Sequence, residues 1–172
     1  MSIPTRETVF ELKVLSAAAI PAALERAERY RLLNEPMQAE SICLDILEVE
    51  PRNQQALILL LLSLTDQFDV SVSSVERALA LLPRLESEYH RQYYEGVTYE
   101  RQARARLHRT APGGASTAYY LLRQAMNCYE AAESIRPSGN DESLLRWNTC
   151  ARTIMSGNLQ PSPVDDAIVM LE

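Results

Sequence analysis

The stretch AMNCYEAAESIRP, residues 125–137, places Ala125, Tyr129, Ala132 and Pro137 at spacings of four, three and five. Spacings of three and four put side chains on one face of an α-helix. A small residue lets two helix backbones approach, and a larger residue one turn later fills the gap beside it. The proline then ends the helix, because it has no N–H for the ladder. The same spacing occurs in AESICLDILEVEP, residues 39–51, through Ala39, Cys43, Ile46 and Pro51. It occurs again in SVSSVERALALLP, residues 71–83, through Ser71, Val75, Ala78 and Pro83. Three copies in order predict helical hairpins that pack against one another.

Working outward, nearly every segment has helical period and none alternates at period two. No glycine precedes Gly96, so earlier turns fall to Pro, Asn and Asp. The pattern predicts helices near 5–18, 21–34, 36–49, 53–67, 72–82, 86–109, 115–135, 140–156 and 163–171.

This arrangement resembles the tetratricopeptide repeat (TPR), a helix–turn–helix unit of about 34 residues. The copies above are similar to its second half, with a small residue, an aromatic, an alanine and a proline at these offsets. Its first half carries a small residue followed three later by tyrosine. Ala27 and Tyr30 fill those places in the first copy, and Gly96 and Tyr99 in the third. The middle copy has Leu61 and Leu64 instead, and the family's early tryptophan is missing from all three. The resemblance implies an all-α fold of antiparallel hairpins stacked as a short TPR-like solenoid. Its repeats would lie near 20–52, 53–84 and 86–138, capped by a helix over 140–156. On this reading residues 1–157 form one domain, and 158–172 a tail with a short helix. The interval from Pro51 to Pro83 is 32 residues, but that from Pro83 to Pro137 is 54. The third hairpin is therefore expected to be elongated, with its tip projecting near Pro112, Gly113 and Gly114.

Composition removes several function classes. A net charge of −6 opposes general binding to a phosphate backbone. Cys43, Cys128 and Cys150 form no C-x-x-C pair and read as reduced core thiols in a cytoplasm. The longest apolar run, Ala56 to Leu62, is far short of the about 20 residues that span a membrane. Arg6, Glu7, Glu11 and Lys13 precede the small apolar stretch from Val14 to Leu24, a mixed flank unlike the basic start of a secretory leader. No G-x-S-x-G, Walker, G-x-G-x-x-G, EF-hand or H-E-x-x-H motif occurs. His90 and His108 lack a second His or Cys at metal spacing, and a pairing of Glu86 with His90 reads as structural. We expect no catalytic residue, metal or cofactor.

In the TPR family the first helix of each pair lines a groove. Carrying those positions over gives Leu24, Glu28 and Arg31, then Gln55, Ile58 and Leu62, then His90, Tyr93 and Val97. Tyr89 and Tyr94 would add area at the edge. The set is mostly apolar with a polar fringe, which suits an amphipathic helix or an extended peptide. The run from Leu57 to Leu62 is apolar all round, so something must cover its open side: a partner, a second copy or the chain's own tail. The elongated hairpin offers Arg101, Arg104, Arg106 and Arg109, with Tyr119 and Tyr120 nearby. Basic residues late in a helix complement its carboxyl end. With an acidic whole, they read as a solvated face or a protein contact in preference to an RNA site. Lys13 is the single lysine, so the Asn–Lys carboxylate clamp of some family members has no counterpart, although Arg31 and Arg101 could contact an anion. Trp147, with Leu144, Leu145, Cys150 and Ile154, is expected to pack against the third hairpin.

The function this implies is a non-catalytic, bacterial-type cytoplasmic adaptor or scaffold that binds a protein segment. The alternatives are a small acidic chaperone for a secreted or assembly-prone client and a self-associating structural subunit. Neither nucleic acid nor membrane is expected as a partner.

Overall fold

Prolines and asparagines set the helix ends. Pro21 stands in the first turn of α1 (Ile20–Leu32), and Pro36 opens α2 (Pro36–Val49). Between them Asn34 takes the left-handed region at φ 60°. Its N–H reaches the Arg31 carbonyl at 3.1 Å, and the Glu35 N–H reaches the Tyr30 carbonyl at 2.9 Å. This is a Schellman ending, with asparagine doing what glycine usually does. Asn53 caps α3 (Gln54–Thr65), its side-chain oxygen accepting from the Ala56 N–H at 2.9 Å. Next come α4 (Ser73–Leu81), a short turn over Leu82–Arg84, and α5 (Glu88–His108), capped by Ser87. The last two helices are α6 (Gly114–Ser134) and α7 (Glu142–Ser156). Asn158, at φ 46°, repeats the Schellman ending after α7. This computed structural model describes residues 10–71, 73–109 and 112–162.

The fold is all-α, and helices adjacent in sequence stack on one another from α1 to α7. In addition α1 touches α3, and α3 touches α5, so these three helices form a layer. The repeated spacing coincides with this packing. Ala39, Cys43 and Ile46 are wholly buried, as are Ala125, Tyr129 and Ala132. In the middle copy Ala78 is buried, but Ser71 lies ahead of the nine-residue α4 and outside it.

Two apolar clusters result. One is built on α1 to α4, with Ala105 of α5 added; the other is built on α5, α6 and α7. Leu62 of α3 leans on the second cluster, and Tyr94 touches both. The leucine-rich α3 is thus enclosed by its own chain over most of its surface, leaving Ile58 and Leu62 half-buried.

The entries of α3 and α5 are pinned together. The Glu86 N–H donates to Gln54 Oε1 at 2.9 Å, Arg52 meets Glu86 at 2.7 Å, and Arg84 donates to the Pro51 carbonyl at 2.8 Å. Glu86 therefore pairs with Arg52, whereas His90 belongs to the first turn after the Ser87 cap. From this common start α5, at 21 residues, runs well past the 12-residue α3. At 1.5 Å per residue the overshoot is about 13 Å. It is not a free-standing projection, because Arg109 donates to the Phe68 and Asp69 carbonyls at 2.9 and 2.7 Å. The segment joining α3 to α4 therefore braces the long hairpin.

One predicted helix is corrected. Over 10–16 the backbone is not helical, and Ala17–Ala19 form a 3-10 turn leading into α1. Phe10, Leu12 and Val14 are exposed, and Leu15 alone of the apolar residues over 10–16 packs against the core. A short helix with so little burial is marginal in water. The expected helix over 163–171 lies outside the described residues.

Candidate protein-binding face

The positions carried over from the TPR pattern divide into two kinds. Leu24, Tyr93 and Val97 are buried in the chain's own core. Glu28 and Gln55 are exposed, while Arg31, Ile58, Leu62 and His90 are half-buried. His90 lies between the rings of Tyr89 and Tyr94, at 5.7 and 5.8 Å. Apolar anchoring is accordingly narrower than expected, and the chemistry of this side is dominated by arginine.

Glu100 is the centre of the arrangement. Its position on α5 follows Tyr93 and Val97 at helical offsets, so it faces inward, with a side chain only 4% exposed. A carboxylate so placed requires partners, since burying an unpaired charge is costly. Tyr129 of α6 donates its hydroxyl at 2.7 Å, and Arg146 of α7 donates from Nη1 at 3.1 and 3.2 Å. Arg104, one turn further along α5, donates from Nη2 at 3.3 Å. Arg146 Nε also reaches the Tyr93 hydroxyl at 3.4 Å. Burial by itself would lower the Arg146 pKa, but Glu100 and the tyrosine oxygens outweigh it and hold the guanidinium more firmly protonated. Burial, then Glu100, raise the Tyr129 hydroxyl far above its ordinary value. Three helices are joined here by one charge network.

The neighbouring residue, Arg101, turns toward α3. It bonds Asp66 at very short range, Thr65 Oγ1 at 2.6 Å and the Leu62 carbonyl at 3.3 Å. Arg31 of α1 approaches the same Asp66 carboxylate at 3.8 Å. Burial lowers the Arg101 pKa; Asp66 opposes this, and Arg146, Arg31 and Arg104 add to the lowering. Arg101 therefore sits within electrostatic reach of three other guanidinium groups. Arg31, Arg101, Arg104 and Arg146, drawn from α1, α5 and α7, face two carboxylates.

Elsewhere on the long hairpin the residues separate. Arg106 is exposed, and His108 lies 3.5 Å from Asp69. Tyr119 packs on the second cluster with its ring 5.5 Å from that of Tyr120. Trp147 packs on the same cluster and donates to Glu130 at 2.8 Å. Burial pushes the thiols of Cys43, Cys128 and Cys150 up to about 12, so none is an activated nucleophile at neutral pH. Among the described residues no group of three His, Cys, Asp or Glu is placed to hold a metal, and no helix is long and apolar enough to cross a membrane.

Sequence reasoning missed Arg146, the arginine that completes the network. A signal was present: Ser143, Arg146 and Cys150 share one helix face, and Ser143 and Cys150 are wholly buried. An arginine in such a stripe demands a buried acid, and Glu100, in the corresponding stripe of α5, is that acid. Asp66 has no such pattern; its role depends on how the end of α3 meets α5. Compared with protein-family models, with curated proteins and with solved structures, the chain gives no match.

Proposed function

We propose that this chain is a non-catalytic protein-interaction module, a short TPR-like solenoid whose single domain spans residues 1–157, with α7 as its cap. It binds a protein segment on the side formed by α1, α3, α5 and α7. The observation that carries this reading is the coincidence of sequence repeat and packing repeat. Ala39, Cys43 and Ile46, and likewise Ala125, Tyr129 and Ala132, are wholly buried within stacked helices. Repeats that bury their mutual faces leave a long open surface, and such surfaces bind other chains. Three free thiols suit a reducing, cytoplasmic setting.

The test is retention of a partner by the immobilised chain and by variants of exposed residues, with folding checked by circular dichroism. Glu28→Arg and Arg104→Glu on the odd-helix side should abolish retention, while Arg123→Glu on α6 should not. Retention that survives the first two and fails with the third would overturn the reading. Self-association is favoured by one observation, the exposure of Leu32, Leu33, Met37 and Val70 around the α1–α2 turn. Molar mass by light scattering over a range of concentrations decides it, a monomer throughout removing that alternative.

A further inference from the structure

The interaction-module reading leaves open what kind of segment is bound, and the charge on the odd-helix side narrows it. The chain carries a net charge of −6, yet four guanidinium groups converge here on two carboxylates. Within these ion pairs the guanidinium groups outnumber the carboxylates, and they are held in place. Glu100 lies beneath Arg104 and Arg146, whose side chains are 57% and 32% exposed against its own 4%. Arg104 meets the acid through Nη2, and Arg146 through Nη1 while its Nε meets the Tyr93 hydroxyl. Arg31 Nε is buried and makes no hydrogen bond. At the margins Asp69 shares a cleft with Arg101 and Arg104, 3.5 Å from His108 Nδ1, and Glu142 acts on Tyr93, which Arg146 also bonds.

A second feature adjoins the first. A cleft of about 140 Å³ is bordered by Asp66, Asp69, Arg101 and Arg104. Asp66 also borders a second cleft, of about 390 Å³, lined by Glu35, Pro36, Met37 and Val70. Met37 and Val70 are 72% and 84% exposed. An apolar hollow thus lies next to fixed cations, and the carboxylate between them is already neutralised by Arg101 and Arg31.

Resting on the interaction-module reading, we infer that the occupant is an acidic protein segment that seats an apolar side chain beside Met37 and Val70 and lays its carboxylates against Arg104 and Arg146. Planar guanidinium groups recognise carboxylates through paired N–H donors, and preordered ones lose little freedom on binding. A nucleic acid would meet the same arginines, but its whole phosphate backbone would also meet the acidic remainder of the chain.

The test is fluorescence anisotropy with the full chain and a labelled eight-residue probe of sequence EELEELEE. Analogues with glutamine or lysine in place of every glutamate, and an eight-nucleotide oligouridylate, serve as comparisons. The acidic probe should bind, and raising NaCl from about 50 to 300 mM should weaken it by roughly tenfold. The glutamine analogue should bind at least about tenfold more weakly, and the lysine analogue not at all. Arg104→Gln and Met37→Ser, both at exposed side chains, should each weaken the acidic probe by roughly fivefold or more without altering the melting curve. Arg123→Gln should leave it unchanged. Equal binding of the glutamine analogue, indifference to Arg104→Gln, or tighter binding of the oligouridylate would each overturn the inference. So would silence of all the probes at about 1 mM chain, well beyond useful affinity. Retention of a partner in the variant assay above would survive any of these outcomes, so the two readings fail separately.

Discussion

Gly96→Ala should destabilise this protein even though alanine is the better helix former. Gly96 lies inside α5, and a Cβ added there would stand 2.6, 2.9 and 3.0 Å from Cε1, Cδ1 and Cζ of Tyr129. Ordinary carbon contacts are about 3.5–4.0 Å, so the overlap approaches 1 Å. The ring cannot swing away cheaply. Tyr129 is wholly buried, its hydroxyl is tied to Glu100 at 2.7 Å, and the Tyr93 ring stands 5.9 Å off. Overpacking of this kind costs about 1–3 kcal/mol. Disturbing a hydrogen bond to a charged group costs about 1.5–3 kcal/mol more. Against these stands a gain of about 1 kcal/mol from helix propensity. The net loss is therefore about 1.5–5 kcal/mol, read in urea titrations followed by circular dichroism as a lower midpoint at unchanged slope. In a thermal scan each kcal/mol corresponds to roughly 2–4 °C for a chain of this size. The double variant Gly96→Ala/Tyr129→Leu supplies the check on mechanism. With the ring removed, the alanine should no longer harm, and the two changes should couple with opposite sign to their single effects. A Gly96→Ala protein that melts higher than the parent would refute the reasoning, since propensity alone would then account for it.

Glu100→Gln should cost about 3–5 kcal/mol, because it leaves Arg146 and Tyr129 without the buried charge they surround; a urea midpoint unchanged from the parent would show the network to be inert. Asn34→Gly should be neutral or slightly stabilising and Asn34→Val destabilising by about 1–2 kcal/mol, because φ is 60° there, and equal melting temperatures for the two would contradict the assigned turn. Cys43 and Cys150 should resist iodoacetamide at pH 8 until the chain unfolds, then react promptly, a contrast that mass spectrometry reads directly. Their folded pKa of about 12 stands above the ordinary 9.0, so the folded state holds protons that the unfolded state releases. That stabilisation is intact below pH 9 and is lost as pH rises toward 12, so the melting temperature should fall across this window; a flat profile would refute the burial.

Helices were legible where periodicity and punctuation agree. Pro36 and the Pro51 stop bracket α2 as expected, and the PGG break separates α5 from α6. Over 10–16 the pattern misled, because nothing in it reveals how little of an apolar face will be buried. The binding side was legible in its helices and less so in its chemistry. Ile58 and Leu62 are half-buried because α3 sits between two clusters, so the chain itself covers most of what the leucine run seemed to offer a partner. Arg101 read as part of a solvated face, a protein contact or an anion contact. It is instead a tie to Asp66, because α5 overshoots α3 and the bend after Thr65 rises to meet it. Contacts of that kind depend on relative helix length, which no short motif carries.

The charged network also occupies the place where apolar burial runs out. The two clusters meet through few side chains, chiefly Leu62, Tyr94 and Ala105. Across that seam Arg101 and Arg109 hold α5 to the end of α3, and on its far side Arg146 holds α7 to α5. Arginine suits such a joint, because its stem packs while its fork satisfies several acceptors at once. A joint made only of leucine would be stronger but indifferent to register, whereas carboxylates at Asp66 and Glu100 accept only one alignment of the helices. The same groups that fix the alignment cannot all be neutralised by it, since four cations meet two anions. Order within the stack and the arginines that the proposed segment would meet thus have a common origin.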